Sequence, residues 1–154
     1  MGVGMTAGFL LDTVVLSAAA PARGIAHDPA KQAARAWIMA NKAAIFLPVT
    51  AVAEIAAGIG EREAAGATRH AADLAAWLRS VLNAYPERVL PFGPEAALHA
   101  RALVRTARAA GHRPGFADLT VACIAAANDL TVVTRNVRDF APLGVPVLDP
   151  FVMA

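Results

Sequence analysis

The 154-residue sequence predicts an α/β fold around a mainly parallel sheet. Three observations carry that expectation. Short apolar, often β-branched runs recur along the whole chain, at 9–11, 45–47, 88–92, 130–133 and 145–148. Longer segments with helical spacing of apolar residues separate them. Residues 115–140 then show the whole pattern in one place: helix, tight turn, buried strand and polar loop.

The elements follow in order. Residues 1–7 are glycine-rich and read as a loose tail. Phe9, Leu10 and Leu11 form a strand that ends at Asp12. A short helix follows over 13–20, then a loop over 21–27. Asp28 before Pro29 marks a helix start, a capping carboxylate followed by proline at the first helical position. That helix runs to about Asn41, with Ala33, Trp37 and Ala40 on one face. Ile45 to Leu47 is the second strand, ended by Pro48. Thr50 is placed to cap the next helix, which turns Val52, Ile55, Ala56 and Ile59 inward and carries Glu54 near its start. Residues 61–83 are helical with a break near Gly66, and Leu74, Trp77, Leu78 and Val81 form an apolar stripe.

A third strand over 88–92 leads to a helix opened by Gly93-Pro94 and ending near Gly111. On it Arg101, Arg105 and Arg108 recur at helical spacing as a basic face, read as solvated. After a loop from His112 to Gly115, the helix over 117–128 places Leu119, Ala122, Cys123 and Ala126 on one face. Asp118 lies in its first turn, where the helix dipole favours a carboxylate. A buried strand over 130–133 then runs into Thr134, Arg135, Asn136, Arg138 and Asp139, and a last strand covers 145–148.

Composition narrows the function classes. At 154 residues the chain is expected to be one domain, 1–154, with enough length for a substantial core. A 57% hydrophobic, 17% charged composition argues against disorder. One cysteine, Cys123, excludes an internal disulfide and a cysteine-based zinc cluster, and fits a reducing, cytoplasmic setting. A net charge of +2 does not by itself imply a polyanion partner. The first twenty residues lack the basic start of a signal peptide, since no Lys or Arg precedes Arg23, and Asp12 interrupts the apolar run. No run reaches the roughly 20 apolar residues of a membrane span, so no membrane partner is expected. The histidines His27, His70, His99 and His112 have no ligand spacing.

Three carboxylates stand in segments that otherwise exclude charge: Asp12, Glu54 and Asp118. A fourth polar group, Asn136 or Asp139, follows the fourth strand. Each of the three has a simpler reading, as a helix cap or a solvated position. Together they conflict, because buried unpaired carboxylates protonate rather than stay charged. A shared cation removes the conflict. Mg²⁺ or Mn²⁺ suits an oxygen-only site and supports hydrolysis of a phosphodiester. Asp28, Asp73, Glu95, Asp129 and Asp149 are assigned to caps, turns or surface.

The motifs LLDTVVLS, LPVTAVAEIAAGI, FADLTVACIAAANDLTVVTRNVRDF and GVPVLDPF resemble the PIN domain, in particular the VapC/FitB-type toxins of type II toxin–antitoxin systems. The resemblance runs from Phe9 to Phe151. It implies a three-layer fold whose central parallel sheet of about five short strands has the order 3-2-1-4-5. It implies an Mg²⁺-dependent endoribonuclease, often acting on structured RNA such as tRNA, commonly dimeric, and neutralised by a cognate antitoxin. Carried over by motif, the metal acids are Asp12, Glu54 and Asp118, with Asn136 at the place of a frequent fourth acid and Asp139 as the alternative source of that charge. Arg113, Arg135 and Arg138 are the nearest basic residues for holding RNA. An apolar groove bearing Trp37, Ile38, Ile55 and Ile59 is the expected seat of an antitoxin helix. One departure stands out: Val14 occupies the place of the family's usual Asn in the first motif. It keeps open a weakened enzyme that serves as an RNA- or partner-binding module. A haloacid-dehalogenase-type phosphatase needs a second Asp at that same place, so Val14 argues against it.

Overall fold

The computed structural model describes residues 7–21 and 28–152. The expected tail, apart from Ala7, and the expected loop, apart from Pro21, lie outside these residues. Five strands form one sheet: β1 (Gly8–Leu11), β2 (Ile45–Pro48), β3 (Val89–Leu90), β4 (Leu130–Val133) and β5 (Val147–Leu148). Their order is β3-β2-β1-β4-β5 and every neighbouring pair is parallel, as the sequence led us to expect. The helices are α1 (Thr13–Ala18), α2 (Pro29–Asn41), α3 (Val49–Ala64), α4 (Thr68–Ala84), α5 (Pro94–Leu98), α6 (Ala100–Ala109), α7 (Phe116–Asn128) and α8 (Val137–Phe140).

The two central strands explain the layering. β1 and β4 pair with Leu10 opposite Val132 and Leu11 opposite Val133. Successive side chains on a strand point to opposite faces. Leu10 and Val132 join Leu103, Val121 and Ile124 under α6 and α7. Leu11 and Val133 join Val15, Leu16 and Ala34 under α1 and α2. All four strand residues are at most 1% exposed, so both faces are dry. That is why these strands read as continuous apolar runs rather than alternating ones. A smaller cluster of Ile59, Ala71, Leu74 and Leu78 ties α3 to α4.

Two tight places set the geometry. At Gly8 a Cβ would lie 2.5 Å from the carbonyl oxygen of Ala44, so only glycine lets β1 run this close to the start of β2. At the end of α7, Asp129 has φ 53°, and its N–H donates to the carbonyl of Ala125. This left-handed cap reverses the chain in one residue and feeds it directly into β4.

Several elements differ from the sequence expectation. β3 and β5 shrink to two residues each, because Pro91 and Pro146 interrupt the donor rows. The helix opened by Pro94 divides at His99 into α5 and α6. On α2 the buried residue is Ala34, while Ala40 is exposed. On α3 Ala56 is exposed, and Ala51 and Ile59 are buried. Thr50 caps nothing: α3 starts at Val49, and the Thr50 hydroxyl is buried without a partner. α7 is buried nearly all round from Thr120 to Ala125, Cys123 included, rather than on one stripe. The break at Gly66, with φ 87°, falls where expected. Among the described residues no helix is long and apolar enough to cross a membrane.

Candidate active site

The strand order places the site. The chain builds outward from β1 to β2 and β3, then returns to the other side of β1 for β4 and β5. The boundary between β1 and β4 is therefore the topological switch point, where loops leaving the strand ends part and open a crevice. Asp12 follows β1 directly and Thr134 follows β4 directly. The ladder continues into both: the Asp12 N–H donates to the carbonyl of Val133, and the Thr134 N–H to that of Leu148.

Asp12 is held by both carboxylate oxygens. Oδ1 accepts from the Thr13 N–H at 2.8 Å, capping α1. Oδ2 accepts from the Thr134 hydroxyl at 2.8 Å. The Thr134 hydroxyl in turn accepts the Asn136 N–H at 3.0 Å. Asp12 is 7% exposed and Thr134 is fully buried. Burial pushes the Asp12 carboxyl above its ordinary pKa. The bonds from Thr134 and Thr13 oppose that rise, and the Asp139 charge adds to it.

Asp118 sits in the first turn of α7, but caps nothing; the N-cap is Gly115 and no side chain bonds there. Burial raises its pKa first. The charges of Asp12, Asp139 and Glu54 raise it further, and His112 pulls it down. Asp118 on α7 therefore feels three other carboxylates, Asp12 after β1, Glu54 on α3 and Asp139 on α8, and Asp12 feels Asp139. Glu54 is exposed, and Asp118 and Asp139 are half-buried. Asn136 reaches the site through its backbone N–H, and the residue is exposed.

Of the basic residues, Arg135 and Arg138 line a cleft of about 600 Å³ together with Asn136, Val137, Asp139 and Asp149. Arg113 is exposed in the loop before α7. Arg101, Arg105 and Arg108 stay on the solvated face of α6. Sequence reasoning passed over His112. Its Nε2 is buried without a hydrogen-bond partner, and the residue acts on Asp118. Only its place, six residues before Asp118, was visible in the sequence.

Among the described residues no three His, Cys, Asp or Glu side chains converge closely enough to form a ready-made metal cage. The donors still suit a hard cation. They are oxygens only, and two of the carboxyls are pushed up by burial and by like charge. The hydroxyls of Thr13 and Thr50, beside Asp12 and one turn before Glu54, are buried and unpartnered. Mg²⁺ keeps several waters and needs only one or two direct carboxylates, so a loose acidic cluster fits it better than a closed cage.

A family model for the PIN domain matches residues 9–144, which takes in the switch-point crevice and all four acids. The chain belongs to the PIN-domain family. PIN domains are generally nucleases that use divalent metal ions. FitAcB from Neisseria gonorrhoeae is similar at 26% identity and a TM-score of 0.77, over 94% of this chain and 99% of that one. VapBC-5 from Mycobacterium tuberculosis, of the VapBC family of toxin-antitoxin systems, is similar at 27% identity and a TM-score of 0.61, over 93% and 97%. The DNA-bound VapBC of Salmonella typhimurium, at 20% identity and a TM-score of 0.66 over 93% and 98%, shares the fold. No curated protein sequence matches this PIN domain at a significant level. The resemblance to VapC/FitB-type proteins read from its motifs stands.

Proposed function

We propose that this PIN domain is a divalent-metal-dependent endoribonuclease toxin that is neutralised by a cognate antitoxin. The observation that carries the reading is the gathering of carboxylates around Asp118 at the β1/β4 switch point, with Asp12 bonded through both oxygens. Asp12, Glu54 and Asp118 are the proposed holders of Mg²⁺ or Mn²⁺, and Asp139 is the fourth acid in place of Asn136. The metal, when bound, supplies an activated water and neutralises charge on the phosphodiester oxygens. Thr13 and Thr134 aim the Asp12 carboxylate and favour its ionised form against the effect of burial, by bonding one lone pair on each oxygen. Arg135 and Arg138 offset the repulsion that four acids exert on a phosphate.

The proposed antitoxin seat is a cleft of about 380 Å³ that starts beside Thr13 and Glu54 and runs over Ile55, Ile59 and Trp77. It differs from the groove expected from the sequence in one wall. Trp37 packs edge-on to Phe9 at 4.8 Å and Ile38 lines a separate cleft with Met39 and Tyr85, while Trp77 of α4 lines this one. The direct test is incubation of the purified protein with total tRNA and with an unstructured RNA, with Mg²⁺ and with a chelator. Internal cleavage that needs the metal and is lost in Asp118→Asn is the expected result. Metal-independent cleavage, or equal cleavage by Asp118→Asn, would overturn the assignment.

A further inference from the structure

Arg135 is not a free surface cation. Its guanidinium carbon lies 4.7 Å from the centre of the Phe151 ring. Phe151 is 7% exposed and packs in the core under α1 and α2 with Leu11 and Val133. The turn that presents the ring is fixed in its own right, because the Phe151 N–H donates to Oδ1 of Asp149 at 2.8 Å. At the other end, Arg135 follows Thr134, whose hydroxyl holds Asp12. One short segment therefore orients both an acid of the centre and a cation beside it.

A cation held over a ring face loses less side-chain freedom when it meets an anion. The cleft in front of it also holds Arg138 and is bounded by Asp139, which acts on both Asp12 and Asp118. The cleft thus shares Asp139 with the acidic centre. Its lining mixes two arginines with Asp139 and Asp149. Such a lining suits an extended chain with repeated phosphates, which can meet the cations at one point and pass the acids at another, rather than a single free anion.

We infer that Arg135, held over the Phe151 ring, grips the phosphate of a single-stranded RNA backbone next to the one under attack, and that Phe151 is the positioning residue for that grip. The inference rests on the nuclease reading of the acids. Arg135 binds and Phe151 acts only through it. A loss at either residue therefore raises KM and leaves kcat near its starting value.

The experiment uses a labelled 12-nucleotide unstructured RNA and two backgrounds. In Asp118→Asn, binding is measured across a salt series. In the wild-type background, kcat and KM are measured with Mg²⁺. Arg135→Ala is expected to weaken binding about tenfold and to lower the salt slope by about 0.7, the share of one phosphate contact on a single strand. Phe151→Leu is expected to reproduce most of that loss, and the double variant to add little more. Phe151→Trp, which keeps a ring face, should bind like the parent. Phe151→Met keeps the core volume without a ring and replaces the Leu variant if that one does not fold. A folded Phe151→Leu or Phe151→Met with parental affinity and salt slope, beside a weakened Arg135→Ala, would overturn the positioning role. Parental binding by Arg135→Ala would overturn the grip itself. Absence of cleavage of both this RNA and total tRNA by the wild type would sink the nuclease reading. The binding arm would still decide this inference.

Discussion

The acids of this site are held in two contrasting ways. On the sheet side, Asp12 has both oxygens bonded and is 7% exposed, and Thr134 behind it is fully buried. Beneath them lie four strand residues with at most 1% exposure. On the helix side, Glu54 is exposed on α3, which buries only Ala51 and Ile59. One side is fixed before any ligand arrives. The other is a long side chain on a helix with a small core of its own. Positional accuracy in this site therefore comes from the sheet, and Glu54 adapts to it.

The largest expected effect tests whether the two acids raised by burial, Asp12 and Asp118, carry the chemistry at all. Asp12→Asn and Asp118→Asn should each lower RNA cleavage by more than about a hundredfold, beyond the range typical of outer partners of a metal site. The fold should remain, as read by circular dichroism. Retention of a tenth of wild-type cleavage by either variant would remove that residue from the metal set.

The next pair sets the two sides against each other. Thr134→Val removes the hydroxyl that aims Asp12 and anchors the Asn136 N–H. It should cost about 10- to 100-fold in Mg²⁺ affinity or in turnover. Glu54→Gln should cost less, because a water can take the place of an exposed ligand. Mg²⁺ titrations of cleavage on both variants decide it. A larger loss for Glu54→Gln would mean that the helix side sets the geometry.

Stability supplies a third comparison. Asp12 and Asp118 both have folded-state pKa values raised above 3.8. Such a group stabilises the fold fully below the unfolded value, and loses that contribution as pH rises through the raised folded value. Metal-free protein should therefore melt higher at mildly acidic pH than at pH 7. Asp118→Asn should flatten the profile and raise the neutral melting point. Saturating the wild type with Mg²⁺ to about 100 times its Kd adds about 2.7 kcal/mol, or about 5–10 °C. A metal-free melting point that climbs steadily from mildly acidic pH to neutral would contradict the strained-acid picture.

The smallest effect concerns Val14, which is 36% exposed on α1, next to Thr13. Val14→Asn should change stability by less than about 0.5 kcal/mol, as surface substitutions do. It should raise cleavage modestly by adding a polar group beside the Thr13 end of the site. Unchanged or lower turnover in a folded variant would show that the first motif works without that Asn.

What was legible in the sequence follows from where each signal lies. β1 and β4 were readable because strands covered on both faces are almost wholly apolar or β-branched, as LTVV is. The α2 start was readable because Asp28 and Pro29 act within one turn, and the Asp28 carboxylate accepts from the N–H groups of Ala30 and Lys31. The three acids stood out as charges in apolar surroundings. Asp139 was legible only as an alternative to Asn136, and His112 not at all, because their effect on Asp118 depends on which segments meet in space, and no periodicity records that. Thr50 misled because a threonine near a helix start is a cap by local rules, whereas packing draws its hydroxyl inward. Trp37 and Trp77 both suited an apolar stripe, and only the tertiary fold decides which one faces the cleft.

The buried cysteine has a practical consequence. Cys123 is the sole thiol of the chain, has no measurable exposure, and sits midway along α7, the helix that carries Asp118. Burial also holds its thiol above the usual pKa, so little thiolate forms in the closed state. A thiol reagent can reach it only when α7 lifts from the sheet. Its labelling rate is thus a clock for that opening, free of signal from any other residue. A metal held between Asp118 and Asp12 should slow the clock.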